Sequence, residues 1–210
     1  LHDVGRFEQI KRYNTFSDAD SVDHAKFGAD LLFKDGLIST FLKGMVKCTG
    51  YKPGALEDRY DSDGVFLYDR LNKSDMEMLE LAIRCHNMYR IPQGLNRREQ
   101  AFCNVLRDAD KVDIFKVNID TPLEEIYNTT TEELMKSDIT DEVLEAFGEE
   151  HCILKAIRRT PADTVIGHVS LAYELVYDES VRITVEQGYL AKLMHCLLYT
   201  SPSPRDGATS

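Results

Sequence analysis

Three groups of residues carry the side chains from which a reactive site could be built. His2 and Asp3 are adjacent at the start of the sequence. Neighbouring side chains on a helix diverge by about 100°, yet near a helix end both can converge on one ion. Neutral imidazole with carboxylate suits Zn, Mn, Fe or a similar divalent metal. Asp108-Ala109-Asp110 interrupts an otherwise apolar helical stretch, and a carboxylate there needs a partner or a metal. His24 and His86 each sit in an apolar helical pattern. Each group also has a plainer reading. A histidine on a helix is commonly a hydrogen-bonded core or surface residue, the two aspartates could face solvent, and His-Asp dipeptides occur by chance.

The elements that must position these groups read as helices. Residues 21–34 place Val22, Ala25, Ala29, Leu32 and Phe33 on one stripe, with Ser21 as a cap and Gly36 as a stop. A short helix is expected within 37–47, loop over 48–72, and an amphipathic helix over 75–88 capped by Ser74, with Met76, Leu79 and Ile83 as core. Pro92 acts as a helix stop beyond it. Residues 96–115 predict a further helix with Phe102, Val105, Leu106, Ala109, Val112 and Ile114 apolar. Shorter helices fill 121–195, punctuated at Thr121-Pro122, Ser137-Asp138, Gly148, Thr160-Pro161 and Gly188. No period-2 strand and no internal repeat is evident, so the expected class is all-α, a compact helical array. Leu1 to Gly5 reads as the close of a helix whose earlier turns precede the chain. The Ser-, Pro- and Thr-rich segment 197–210 reads as a disordered tail foreign to the fold. The expected organisation is a metal-binding core over 1–115, a helical extension packed on it over 116–196, and that tail.

Composition limits the partners. The 210 residues carry 25 Lys+Arg against 36 Asp+Glu, a net charge of −11, with 43% hydrophobic and 29% charged residues. Such a field disfavours nucleic-acid polymers and anionic membranes. No apolar run approaches the ~20 residues of a membrane span. The five cysteines are scattered without a CxxC pair, which argues against a disulfide framework or zinc ribbon and fits a reducing cytoplasm. Phosphate-loop, dinucleotide-fold and serine-hydrolase signatures are absent. Cys85 is expected in the core, His168 is expected to be buried and hydrogen-bonded, and the Asn128-Thr129-Thr130 sequon is disregarded.

Taken in order, these elements resemble the HD superfamily of metal-dependent phosphohydrolases. The family pattern is His, then His-Asp, then Asp, all on helices, with further histidines between. The match runs through LHDVGRFEQ (1–9), SVDHAKFGADLLF (21–33), AIRCHN (82–87) and LRDADKVDIF (106–115), and looks most like a bacterial branch. The resemblance implies that His2 and Asp3 bind the metal and that Asp110 is the next ligand, with Asp108 the alternative if the register differs. It implies that His24 and His86 bind a second metal or contact the substrate phosphate, and that Arg6 pairs with a phosphate oxygen. The family's first histidine lies upstream of the HD pair, so a mononuclear site here would hold His2, Asp3 and Asp110.

The expected cofactor is one or two divalent ions (Mn, Fe, Zn, Mg or similar). The expected substrate is a small phosphorylated molecule such as a nucleotide. In the expected reaction a metal-activated water attacks phosphorus in line, Asp108 or Asp110 orients that water, and His86 or His24 protonates the leaving oxygen. The competing expectation is a regulatory module that binds a nucleotide or metal without catalysis.

Overall fold

The structure, a computed structural model, describes residues 1–41, 73–127 and 129–200. The described residues are mostly helical and contain no strand, an all-α chain. None of their helices is long and apolar enough to cross a membrane. The loop expected at 48–72 lies outside the described residues. The chain divides into two units, Leu1–Leu106 and Arg107–Ser210.

In the first unit, α1 (Val4–Tyr13) packs against α2 (His24–Ala29), and α2 packs against α3 (Lys73–Cys85). The opening residues behave oppositely to the sequence reading. His2 and Asp3 lead into a helix instead of closing one, with Asp3 at the N-cap of α1. Asn14 ends α1 in the left-handed conformation at φ 52°, its N–H donating to the Ile10 carbonyl.

The helix expected from residue 22 starts at His24, because Asp23 rather than Ser21 takes the capping role. The Asp23 carboxylate accepts the N–H groups of Ala25 and Lys26. Its continuation, Asp30–Lys34, is a π-helical turn, after which Gly36 stops the element at φ 78°. Of the short helix expected within 37–47, residues 37–41 are described, and 38–41 are helical. Ala29, Leu32, Ile38 and Ile83 form the apolar core, with Val4, Phe33, Met76 and Leu106 against it.

α1 and α2 touch backbone to backbone. A Cβ on Gly5 would lie 2.1 Å from the His24 carbonyl oxygen and 2.7 Å from the Gly28 nitrogen. Two glycines without side chains thus permit the approach that sets Asp3 beside His24.

α4 (Arg97–Asp120) supplies residues to both units. Asn96 caps it, accepting the N–H groups of Arg98 and Glu99. Its buried side differs from the apolar stripe expected. Phe102 is 39% exposed and Val105 58%, whereas Cys103, Arg107, Asp108, Lys111, Phe115 and Asn118 are buried. Periodicity of apolar residues misleads here because charged groups on the buried side are offset by hydrogen bonds.

The second unit continues with α5 (Leu123–Tyr127), α6 (Thr131–Met135), α7 (Asp141–Gly148), α8 (Pro161–Val169), α9 (Asp178–Gln187) and α10 (Tyr189–Thr200). Phe115, Leu134, Ala162, Val165, Val169 and Leu193 make its core. The punctuation read from sequence marks real boundaries. Thr160 caps α8 reciprocally with Asp163, Pro161 opens that helix, and Gly188 ends α9 at φ 69°. α10 runs to Thr200, so residues 197–200 belong to a helix and not to the tail expected from 197.

His168, on α8, accounts for a pH response. Its Nδ1 donates to Asn118 Oδ1 at 2.8 Å, and Asn118 Nδ2 donates to the Ile114 carbonyl. Burial first, then the charges of Arg158 and Lys155, push the imidazole down to about 3. An unfolded histidine titrates near ~6.5. Below that pH the unfolded chain takes up a proton that the folded unit refuses. The contribution is therefore complete above ~6.5 and is lost at up to about 1.4 kcal/mol per pH unit as pH falls toward 3. Thermal melts at pH 7.5 and 5 are expected to show a smaller loss of Tm for His168→Gln than for the wild type.

Candidate metal centre

Asp is among the best helix-capping residues, yet Asp3 makes no capping hydrogen bond. Its carboxylate faces three imidazoles instead. Oδ2 lies 3.3 Å from His2 Nε2. Oδ1 lies 3.4 Å from His24 Nε2 and 3.5 Å from His86 Nε2. That buried oxygen has no hydrogen-bond partner of proper geometry.

His24 opens α2, and its Nδ1 meets Asp18 Oδ2 at 2.7 Å and Oδ1 at 2.9 Å. Burial and then the charge of Arg6 lower its pKa, against the opposing pull of Asp18. His86 stands one residue beyond α3. Its Nδ1 donates to the Ile83 carbonyl at 2.7 Å, one of the C-terminal carbonyls that a helix leaves without an internal partner.

These contacts fix the protons. A carboxylate and a carbonyl can only accept, so both Nδ1 atoms carry hydrogen, and in the neutral rings both Nε2 atoms present lone pairs. The two Nε2 atoms face each other at 3.1 Å. His2 completes the cluster, its ring edge-on to His86 at a centroid distance of 4.9 Å. Ligand atoms of His2, Asp3 and His86 lie within 4.8 Å of one another. Lone pairs opposed at that distance repel unless a proton or a metal ion lies between them, and the Asp3 oxygen without a hydrogen bond adds negative charge at the same place. The donor set fits a divalent transition ion, whose bonds to nitrogen or oxygen are ~2.0–2.2 Å long.

His24 and His86 are buried, their side chains 3% and 1% exposed, whereas His2 is 28% and Asp3 44% exposed. A ligand in solution therefore reaches the cluster from the side of His2 and Asp3.

Of the other residues singled out by sequence, Arg6, Asp108 and Cys85 have surroundings of their own. Arg6 Nη1 donates to the Phe16 carbonyl at 2.6 Å and to Asp18 Oδ1 at 3.1 Å. Asp108 and Asp110 belong to the second unit. Both Asp108 oxygens accept backbone N–H groups, from Val176 at 3.0 and 3.1 Å and from Tyr177 at 3.0 Å. Tyr177 is the N-cap of α9, so Asp108 anchors the start of that helix. Lys111, one turn on, donates to the Glu174 carbonyl. Cys85 is buried, 4% exposed.

Two residues of the site escaped the sequence reading. Asp18 comes from the loop between α1 and α2 and accepts from Arg6, Gln9, His24 and Asn87. Gln9 is fully buried, and its Nε2 donates to Asp18, Ser21 and the Val22 carbonyl. The available signal was a polar residue one helical turn after Gly5, on the side of α1 that packs against α2. No family model matches the chain, and neither curated proteins nor solved structures give a match.

Proposed function

We propose that the chain is a metal-dependent hydrolase of phosphate esters, with its ion held by His2, Asp3, His24 and His86. The observation that carries the metal is the confrontation of the His24 and His86 Nε2 atoms at 3.1 Å beside an unpartnered Asp3 oxygen. The reaction class and the substrate, a nucleotide or other small phosphorylated molecule, rest on the resemblance to the HD superfamily.

A divalent ion in such a site polarises a phosphoryl oxygen and lowers the pKa of bound water toward ~7. The donor set suits that use, since three neutral imidazoles and one carboxylate leave a dication with net positive charge. This favours a phosphate locally although the chain carries −11 overall. The partly exposed His2 and Asp3 line the approach, while the buried His24 and His86 exclude water from the far side.

The test is phosphate or nucleotide release from nucleoside monophosphates, dinucleotides, cyclic nucleotides and an aryl phosphate, with Mn²⁺, Fe²⁺ or Zn²⁺ added. Turnover that depends on metal and disappears in His86→Ala is expected. Tight metal binding without turnover on any substrate would make the centre a non-catalytic binding module.

A further inference from the structure

Asp18 lies outside every motif that carries the family resemblance, yet four side chains around the cluster donate to it. Its carboxylate accepts from Arg6 and Gln9 on α1, from His24 on α2 and from Asn87 beyond α3. Those donors come from all three helical segments that frame the cluster. Asn87 also donates to Asp23, the residue that caps α2 at His24. The guanidinium of Arg6 is thereby directed onto Asp18 and the Phe16 carbonyl.

We infer that Asp18 is a positioning residue: held by Arg6, Gln9 and Asn87, it takes the Nδ1 hydrogen of His24 and so makes Nε2 the ligating atom. The consequence for ligation rests on the proposed metal centre, whereas the geometry does not. An imidazole has two nitrogens of nearly equal intrinsic preference, and its partner decides which carries hydrogen. A carboxylate with two oxygens at 2.7 and 2.9 Å admits only one answer. An amide in its place can turn its NH₂ toward Nδ1, which favours the other tautomer and blocks Nε2 with a hydrogen. Outer partners of this kind typically change metal affinity by about 10–100-fold.

The experiment is ¹⁵N–¹H correlation spectroscopy of the histidine rings of the metal-free protein at pH 8, with Zn²⁺ titrations alongside. Wild type is expected to show His24 as the Nδ1–H tautomer. Asp18→Asn is expected to populate Nε2–H and to bind Zn²⁺ about 10–100-fold more weakly. Asp20→Asn, an exposed change in the same loop, should match wild type in both readouts. A merely structural role for Asp18 would not move the tautomer, so an unchanged tautomer in folded Asp18→Asn overturns the inference whatever the affinity does. If Asp18→Asn does not fold, the wild-type spectrum still decides, because an Nε2–H His24 contradicts the assignment. A tautomer shift in a protein that binds no Zn²⁺ would leave Asp18 as positioning residue and defeat the metal reading alone.

Discussion

His86→Ala is expected to lower Zn²⁺ affinity by well over about a hundredfold, more than the loss of an outer partner costs, while leaving the helices intact. The substitution removes one of two opposed Nε2 lone pairs, so the metal-free protein loses a repulsion as well as a ring. It also loses the bond from Nδ1 to the Ile83 carbonyl, a cost of about 1 kcal/mol. These effects oppose each other, and the metal-free variant should melt near the wild type. The contrast appears when Zn²⁺ is added. At a free concentration of 100 times its Kd the ion stabilises wild type by about 2.7 kcal/mol. At the same concentration the variant gains almost nothing. Thermal melts of both proteins with and without Zn²⁺ read this directly. An equal upward shift in both would place the ion somewhere else.

Gly5→Ala is expected to be the most damaging glycine-to-alanine change among the described residues of the first unit. The added Cβ would stand 2.1 Å from the His24 carbonyl oxygen, 2.7 Å from the Gly28 nitrogen and 3.0 Å from the Gly28 Cα. All three are backbone atoms, so no rotamer change relieves the clash and α1 must move away from α2. Overpacking costs about 1–3 kcal/mol and occasionally more, and a clash with backbone atoms lies at the upper end, against the roughly 1 kcal/mol by which alanine outranks glycine in a helix. Separation of the helices also draws Asp3 from His24, so Zn²⁺ affinity should fall with stability. For Gly28→Ala the nearest atoms are Gly5 N at 2.9 Å, Gly5 Cα at 3.3 Å and a Val4 methyl at 3.4 Å, and the change should cost less. Urea denaturation gives the order, and a Gly5→Ala protein as stable as wild type would refute the close crossing.

The helical class was legible because apolar spacing and punctuation agree along much of the chain, as at the Thr160 cap of α8 and the Gly188 stop of α9. The residue types at the cluster were visible too, since histidines in apolar helical patterns stand out. What remained hidden has a common cause. Asp18 lies in a loop without periodicity, and its meaning depends on donors brought from Arg6, Gln9 and Asn87 by folding. Gln9 looks like a surface residue until Gly5 and Gly28 let α1 settle onto α2. On α4 apolar spacing and burial part company: Val105 is exposed, while Arg107, Asp108 and Lys111 are covered. Hydropathy alone cannot signal a buried acid such as Asp108 that is satisfied by two backbone N–H groups sixty-eight and sixty-nine residues away. The start of α1 misled because Asp3 sits at a cap position without capping, its carboxylate turned toward the imidazoles.

The proposed function stands or falls with a divalent ion held by His2, Asp3, His24 and His86. Elemental analysis decides it: wild type and His86→Ala, each purified without chelator, are loaded with Zn²⁺ and dialysed side by side. At least one tightly held ion per chain is expected in the wild type and none in the variant; metal-free wild type, or equal metal in the two, would refute the centre.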